Sequence, residues 1–121
     1  MFVNCLAVGA GGFIGSVLRY LIGTVTPDSA FPWTTLAINA VGSFALAFIA
    51  GLLLRGVLPE GELSLMLRVG LCGGFTTFST FSLETVSLAS NGAWAGAIAY
   101  AVGTCVICVL AAFAGGMLAR G

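Results

Sequence analysis

Hydrophobic positions fill this chain in long blocks, and the polar positions fall almost entirely between them. Charge-free runs extend over residues 31–54, 69–83 and 85–119. A helix rises about 1.5 Å per residue, so about 20 apolar residues cross a hydrocarbon core of about 30 Å. The pattern predicts four crossings, at residues 3–24, 33–55, 64–88 and 94–118, within one membrane domain spanning 1–121. The first loop turns at Pro27-Asp28-Ser29, and Trp33 follows Pro32 as an interfacial aromatic. Residues 56–63, with Pro59, Glu60, Gly61 and Glu62, form the most polar loop, while Asn91-Gly92 turns the chain before Trp94.

Composition narrows the class. Of 121 residues, 7% are charged, against about 25% in an ordinary soluble domain. The charges are Arg19, Arg55, Arg68 and Arg120 against Asp28, Glu60, Glu62 and Glu84. A water-soluble enzyme is excluded, and so is a nucleic-acid binder, because the chain has no lysine, no basic patch and no net charge. Met1–Cys5 carries no basic region, so the first hydrophobic segment reads as a retained helix and not as a leader. Four crossings put both termini and the second loop on one side. That side holds Arg55, Arg68 and Arg120 against Arg19 alone on the other. So small a bias fits either ordinary insertion or two orientations that pair antiparallel.

Eighteen glycines let helices approach closely, and Gly11/Gly15, Gly70/Gly74 and Gly92/Gly96 are small-xxx-small pairs. Four helices are also too few to enclose a polar path alone, so the pattern predicts a tightly packed oligomer.

The polar residues inside the crossings carry the chemistry. The third contains Gly73-Gly74-Phe75-Thr76-Thr77-Phe78-Ser79-Thr80-Phe81-Ser82. Paired glycines weaken a helix by about 1 kcal/mol each relative to alanine. Hydroxyls then satisfy freed carbonyls. A helix broken at mid-membrane is one reading, and a kinked helix with self-satisfied hydroxyls is the other. Phe78 and Phe81 share a helical face, with Thr77, Thr80 and Glu84 close by. They are either packing residues or rings whose positive edges meet a small anion. Glu84 is either interfacial or paired with hydroxyls. Asn39, flanked by Thr35 and Ser43, is either an interhelical hydrogen-bonding residue or a pore amide.

Tyr100, Thr104 and Cys108 form a polar stripe at i, i+4 and i+8 on the fourth crossing. Cys105 and Cys108 have redox-motif spacing. Without histidine or another cysteine pair at ligand spacing, the four cysteines read as small apolar side chains. Arg19 either snorkels to the interface or binds carbonyls at another helix end. A cation near a vestibule also attracts anions.

These features describe a small oligomeric permeation protein whose path is lined by neutral hydroxyls, an amide and aromatic edges. A four-helix proton-coupled multidrug exporter is the rival reading. Such exporters resemble one another in a glutamate in the first crossing, which here has no acid. A non-transporting membrane scaffold would not need the hydroxyl stripe.

The segments Gly11-Gly12-x-x-Gly15-x-x-x-Arg19-Tyr20, Asn39 with Gly42, and Gly70-x-x-Gly73-Gly74-Phe75-Thr76-Thr77-Phe78-Ser79-Thr80-Phe81 resemble the Fluc fluoride channels, also called the CrcB family. The resemblance covers nearly the whole chain. It implies an all-α membrane protein of four transmembrane helices, the third broken, assembled as an antiparallel dual-topology homodimer. It further implies passive fluoride export across the cytoplasmic membrane of a microbe. By the same resemblance Phe78 and Phe81 offer ring edges to fluoride beside the amide of Asn39. Thr80, Glu84, Tyr100 and Thr104 form a polar track, and Arg19 is a vestibule arginine. Gly73 and Thr76 hold a structural sodium ion through backbone carbonyls at the dimer centre. Cys108 departs from the family, where a serine hydroxyl is frequent.

Overall fold

The computed structural model describes residues 1–121, and all of its regular structure is helical. Helix α1 spans Phe2–Val25, α2 Trp33–Leu54 and α6 Trp94–Arg120, and these three are long and apolar enough to cross a membrane. Between α2 and α6 the chain forms a fourth rod from shorter pieces: α3 (Glu62–Leu65), a π-helical stretch (Met66–Cys72), α4 (Gly73–Phe75) and α5 (Phe78–Ser90). Thr76 (φ −81°, ψ 156°) and Thr77 (φ −148°, ψ 116°) are extended, so α4 and α5 are separate helices.

The extended residues do not fall where glycine propensity points. Gly73 and Gly74 stay helical and have negative φ. Their lack of side chains serves packing. A Cβ on Gly74 would stand 2.7 Å from the carbonyl oxygen of Gly12, and one on Gly70 would stand 2.6 Å from that of Val8. From the other side, a Cβ on Gly11 or Gly15 would meet the backbone nitrogen of Leu71 or Phe75 at 2.8 Å in each case. Gly11/Gly15 and Gly70/Gly74 therefore close a seam inside one chain, between α1 and residues 66–75. This corrects the expectation that these pairs pack an oligomer. Gly92 serves a turn instead, with φ +85°.

Helix ends follow from local chemistry. Gly56 (φ +72°) and Gly92 take the left-handed conformation after α2 and α5. At α5 the amide of Ala93 donates to the Leu88 carbonyl (2.9 Å) and that of Gly92 to Ala89 (3.0 Å). At α2 the amides of Val57 and Gly56 bond Leu52 and Leu53 in the same pattern, at 3.0 Å each. Ser64, fully buried, accepts from the Gly61 amide and donates to the Gly61 carbonyl, which starts α3. Arg55 donates to the Ala119 carbonyl and so caps the end of α6 from the end of α2. Arg68 pairs with Glu60 at 3.6 Å across the second loop.

The four rods pack as two pairs, α1 with residues 62–75 and α2 with α6, while α5 leans on α6 and touches α2. A Cβ on Gly115 would strike the main chain of Phe44, which keeps α2 and α6 close. Phe78, at the start of α5, is 76% exposed, and Leu83 and Val86 further along that helix are exposed as well, while Phe81 is buried.

Candidate functional site

The site forms where α5 begins. In a continuous helix the amide of Thr77 would point to the Gly73 carbonyl. Here it donates to Asn39 Oδ1 (2.8 Å), and Asn39 Nδ2 returns a bond to the Thr77 carbonyl (3.0 Å). The side-chain amide of Asn39 on α2 thus clasps both main-chain polar groups of one extended residue, Thr77. The clasp satisfies backbone groups that would otherwise be unpaired inside a membrane protein. Below it, Thr76 turns its hydroxyl back to the Cys72 carbonyl at 2.9 Å. Its methyl fits a notch left by Gly42, where a Cβ would strike it.

Thr77 also starts α5. Its hydroxyl accepts from the Thr80 amide (3.2 Å) and donates to the Thr80 hydroxyl (3.0 Å). This is an N-cap, and the Thr-x-x-Thr spacing was a readable signal for it. Because Thr80 accepts in this pair, its own proton can be donated elsewhere.

Around the clasp lies a cavity of about 270 Å³. Its wall includes Asn39, Thr76, Phe78, Phe81 and Thr104 from the expected set, together with Ser43, Thr77, Cys105 and Cys108. No charged side chain lines it. Thr104 is buried, and its hydroxyl oxygen has no hydrogen-bond partner within the chain. The two phenylalanines differ sharply: Phe81 is 7% exposed, whereas Phe78 projects outward, their centroids 5.4 Å apart.

Glu84 and Tyr100 form a second centre. Tyr100 is fully buried and donates to Glu84 Oε1 (3.0 Å), while Thr35 donates to Oε2 (3.0 Å). Each carboxylate oxygen therefore has a hydroxyl, the pairing that was one of the two sequence alternatives for Glu84. Glu84 and Thr35 lie in the wall of a larger cavity, about 800 Å³, framed by residues 26–34 of the first loop and the start of α2. Rings connect the two cavities: Phe81 lies 5.1 Å from Tyr100, whose ring meets Phe31 at 5.4 Å and 82°, and Phe31 lies 4.5 Å from Trp33. Phe31 gave no sequence signal beyond its place before Pro32, since its partner is far along the chain.

Of the expected residues, Arg19, Gly73, Thr80 and Tyr100 lie outside both cavity walls. Arg19 Nε donates to the Gly74 carbonyl at 3.3 Å, with the Ser16 hydroxyl at 3.5 Å from the same oxygen. Of the two sequence alternatives for Arg19, the structure takes the helix-end carbonyl. Gly73 is exposed, and a Cβ there would have only the Arg68 carbonyl, at 3.9 Å, near it.

Comparison with known proteins identifies the family. The model of the family described as CrcB-like protein, Camphor Resistance (CrcB), matches residues 6–116. A Rhizobium meliloti protein named fluoride-specific ion channel FluC is 42% identical over 120 residues, covering 97% of this chain and 96% of the relative. Proteins of the same name from Agrobacterium fabrum and Nitrobacter winogradskyi are 44% and 47% identical, covering 98% and 95% of this chain and 97% and 94% of the relatives. A family match over most of the chain, joined to near-complete relatives at these identities, means that the chain belongs to the CrcB family.

Proposed function

We propose that this chain is a fluoride-selective channel, a multi-pass membrane protein that conducts and is not an enzyme. The observation that carries the reading is the uncharged cavity at the clasp, where an amide, threonine hydroxyls and two phenylalanine rings meet. Fluoride is small and strongly hydrated, so a path for it must replace water with several donors at once. Thr104, in the cavity wall with no partner inside the chain, is such a donor, and Thr80, outside that wall but next to Thr77, has a proton left to give. Ring edges of Phe78 and Phe81 add weak positive contacts without the deep trap that a cation would set. Neutral donors in a narrow cavity favour the small anion over chloride and allow it to leave. Glu84, held by Thr35 and Tyr100, orients the Tyr100 hydroxyl at the far end of the track.

The functional unit is an antiparallel dual-topology homodimer in the cytoplasmic membrane, with the helix break between α4 and α5 at mid-membrane. Support comes from the small arginine bias, from the exposed Phe78 and Gly73, and from a wall that one chain leaves open. A structural sodium ion fits the donor set. Turning the Thr77 amide to Asn39 leaves the Gly73 carbonyl without its helical donor, and Thr76 is extended beside it. Carbonyl oxygens are hard ligands suited to a small cation. Gly73 and Thr76 would hold the ion through those carbonyls, and it would supply fixed positive charge. Arg19 would add positive potential while it stays on the Gly74 carbonyl.

The test is fluoride efflux from liposomes containing the purified chain, read with an ion electrode under a valinomycin-clamped potassium gradient. Fast, voltage-driven fluoride release with negligible chloride leak is expected, and Phe81→Ile should suppress it while the protein still assembles. Absent fluoride flux, or equal chloride flux, overturns the channel reading. Proton-coupled export of organic cations would instead favour the exporter, against which stand the relatives' names and an α1 without an acid.

A further inference from the structure

We infer that Cys105 and Cys108 form a two-thiol site in the wall of the clasp cavity that takes a soft, linear divalent cation such as Hg(II), and that filling it stops anion passage. The second half rests on the channel reading above.

Both cysteines line the cavity of about 270 Å³, and both are free thiols. They lie three residues apart on α6, where Cβ atoms are about 5–6 Å from each other, so their sulfurs can meet on opposite sides of one ion. The rest of the wall is apolar or neutral: it offers hydroxyls and an amide, with no histidine and no carboxylate. Zinc wants about four ligands in a tetrahedron, which this wall does not supply. Thiols select soft ions, and a two-coordinate ion needs no more than the pair provides.

The charge balance favours a divalent ion. Two S–H bonds and two Hg–Cl bonds break, two S–Hg bonds form, and two protons and two chlorides leave to water. Mercury remains divalent and no electron is transferred. The bridged product is neutral, which suits an apolar cavity wall where Cys105 is exposed at the helix surface and Cys108 is half-buried. A monovalent soft ion bridging both sulfurs would leave a net negative charge there, so the pair discriminates between the two. Thr104 precedes Cys105 directly and lines the same cavity, so a bridged ion occupies space beside the unpartnered hydroxyl. The other two cysteines are elsewhere: Cys5 is exposed on α1, and Cys72 is buried in the π-helical stretch.

The experiment uses the full chain carrying Cys5→Ala and Cys72→Ala, in detergent and in liposomes, with mercuric chloride as the probe. Intact-protein mass spectrometry should show one mercury retained per chain through a brief monothiol wash, and fluoride efflux should fall to the protein-free leak. Adding Cys105→Ala or Cys108→Ala should abolish retention, and flux, measured against each variant's own untreated value, should recover after the wash. No retained mercury, or equal retention in both further variants, overturns the site. Retention with undiminished flux overturns the block. If the double substitution does not fold, the wild-type chain is treated and its thiols mapped by alkylation. Protection of Cys105 and Cys108 together supports the site, and any other pattern overturns it. If untreated protein passes no fluoride, the channel reading fails by itself, while mercury retention still decides the site.

Discussion

Along residues 62–75 the closest approaches to α1 are main-chain atoms meeting glycines, with only Arg19 and Ser16 adding side-chain bonds at the Gly74 carbonyl. Phe78–Ser90 and its cap, by contrast, are tied to α2 and α6 by hydroxyls, an amide and aromatic rings. The two stretches belong to one rod and differ in what they tolerate. The first is specified by shape: any side chain at Gly11, Gly15, Gly70 or Gly74 meets backbone that cannot turn aside. The second is specified by chemistry, since Asn39, Glu84 and Tyr100 could be replaced by residues of the same shape with loss of a donor or an acceptor. Shape fixes the frame, and the chemical half does the work at the cavity.

The largest expected effect lies in the frame. Gly15→Val should prevent recovery of monodisperse protein, because its side chain would overlap the main chain of Leu71 and Phe75. Overpacking costs about 1–3 kcal/mol where neighbours can yield, and more where they are backbone. Gly103→Ala is the control, with nothing within 4 Å of its Cβ. It should be neutral or stabilising by at most about 0.5–1 kcal/mol. Size-exclusion profiles and thermal unfolding followed by tryptophan fluorescence read both. Normal behaviour of Gly15→Val would show that the seam is not set by shape.

The second effect tests chemistry at constant shape. Asn39→Asp keeps the acceptor for the Thr77 amide but replaces the donor to the Thr77 carbonyl with an oxygen. An unsatisfied buried polar group costs about 1–3 kcal/mol, and each 1.36 kcal/mol on a barrier is about tenfold in rate. Fluoride efflux should fall about tenfold or more, with assembly retained. Unchanged efflux would remove the clasp from the path.

This contrast also explains what the chain revealed before its structure was known. Three long apolar blocks and their turns were legible because hydropathy and Gly/Asn signals are local. The identity of the polar cluster was legible because hydroxyls, Asn39 and Glu84 stand out against an apolar background. Pairings were not. Asn39 meets Thr77 across 38 positions and Thr35 meets Glu84 across 49, and no local pattern encodes such distances. Gly73-Gly74 misled for a physical reason. Glycine propensity marked them as the weak point, yet Gly74 has its main chain against α1 and the extended residues come at Thr76–Thr77. The same ambiguity misassigned the small-xxx-small pairs, since a glycine that permits close approach does not say whose backbone approaches.

Within the chemical half, Tyr100→Phe should have a moderate effect. It removes the hydroxyl that bonds Glu84 Oε1 and leaves the ring between Phe31 and Phe81. An intramolecular hydrogen bond contributes about 0.5–1.5 kcal/mol net. Efflux should therefore drop severalfold while elution volume stays unchanged. If Tyr100→Phe conducts as the wild type does, Glu84 is held well enough by Thr35 alone.

The smallest effect separates ring from hydroxyl. Phe31→Leu keeps an apolar side chain in the loop but removes the edge contact to Tyr100 and the contact to Trp33. Such aromatic pairs contribute about 0.5–1.5 kcal/mol beyond the area they bury. Since the contact by which Phe31 reaches the Glu84 pair is its edge on Tyr100, the loss in efflux should be smaller than that of Tyr100→Phe, and the double variant should conduct much as Tyr100→Phe does. Additive losses would mean that Phe31 has its own contact with the permeating ion at the wall of the larger cavity, where it already stands beside Thr34 and Thr35. The loop would then belong to the chemical half of the molecule, and specification by side-chain chemistry would reach from the clasp to the cavity mouth.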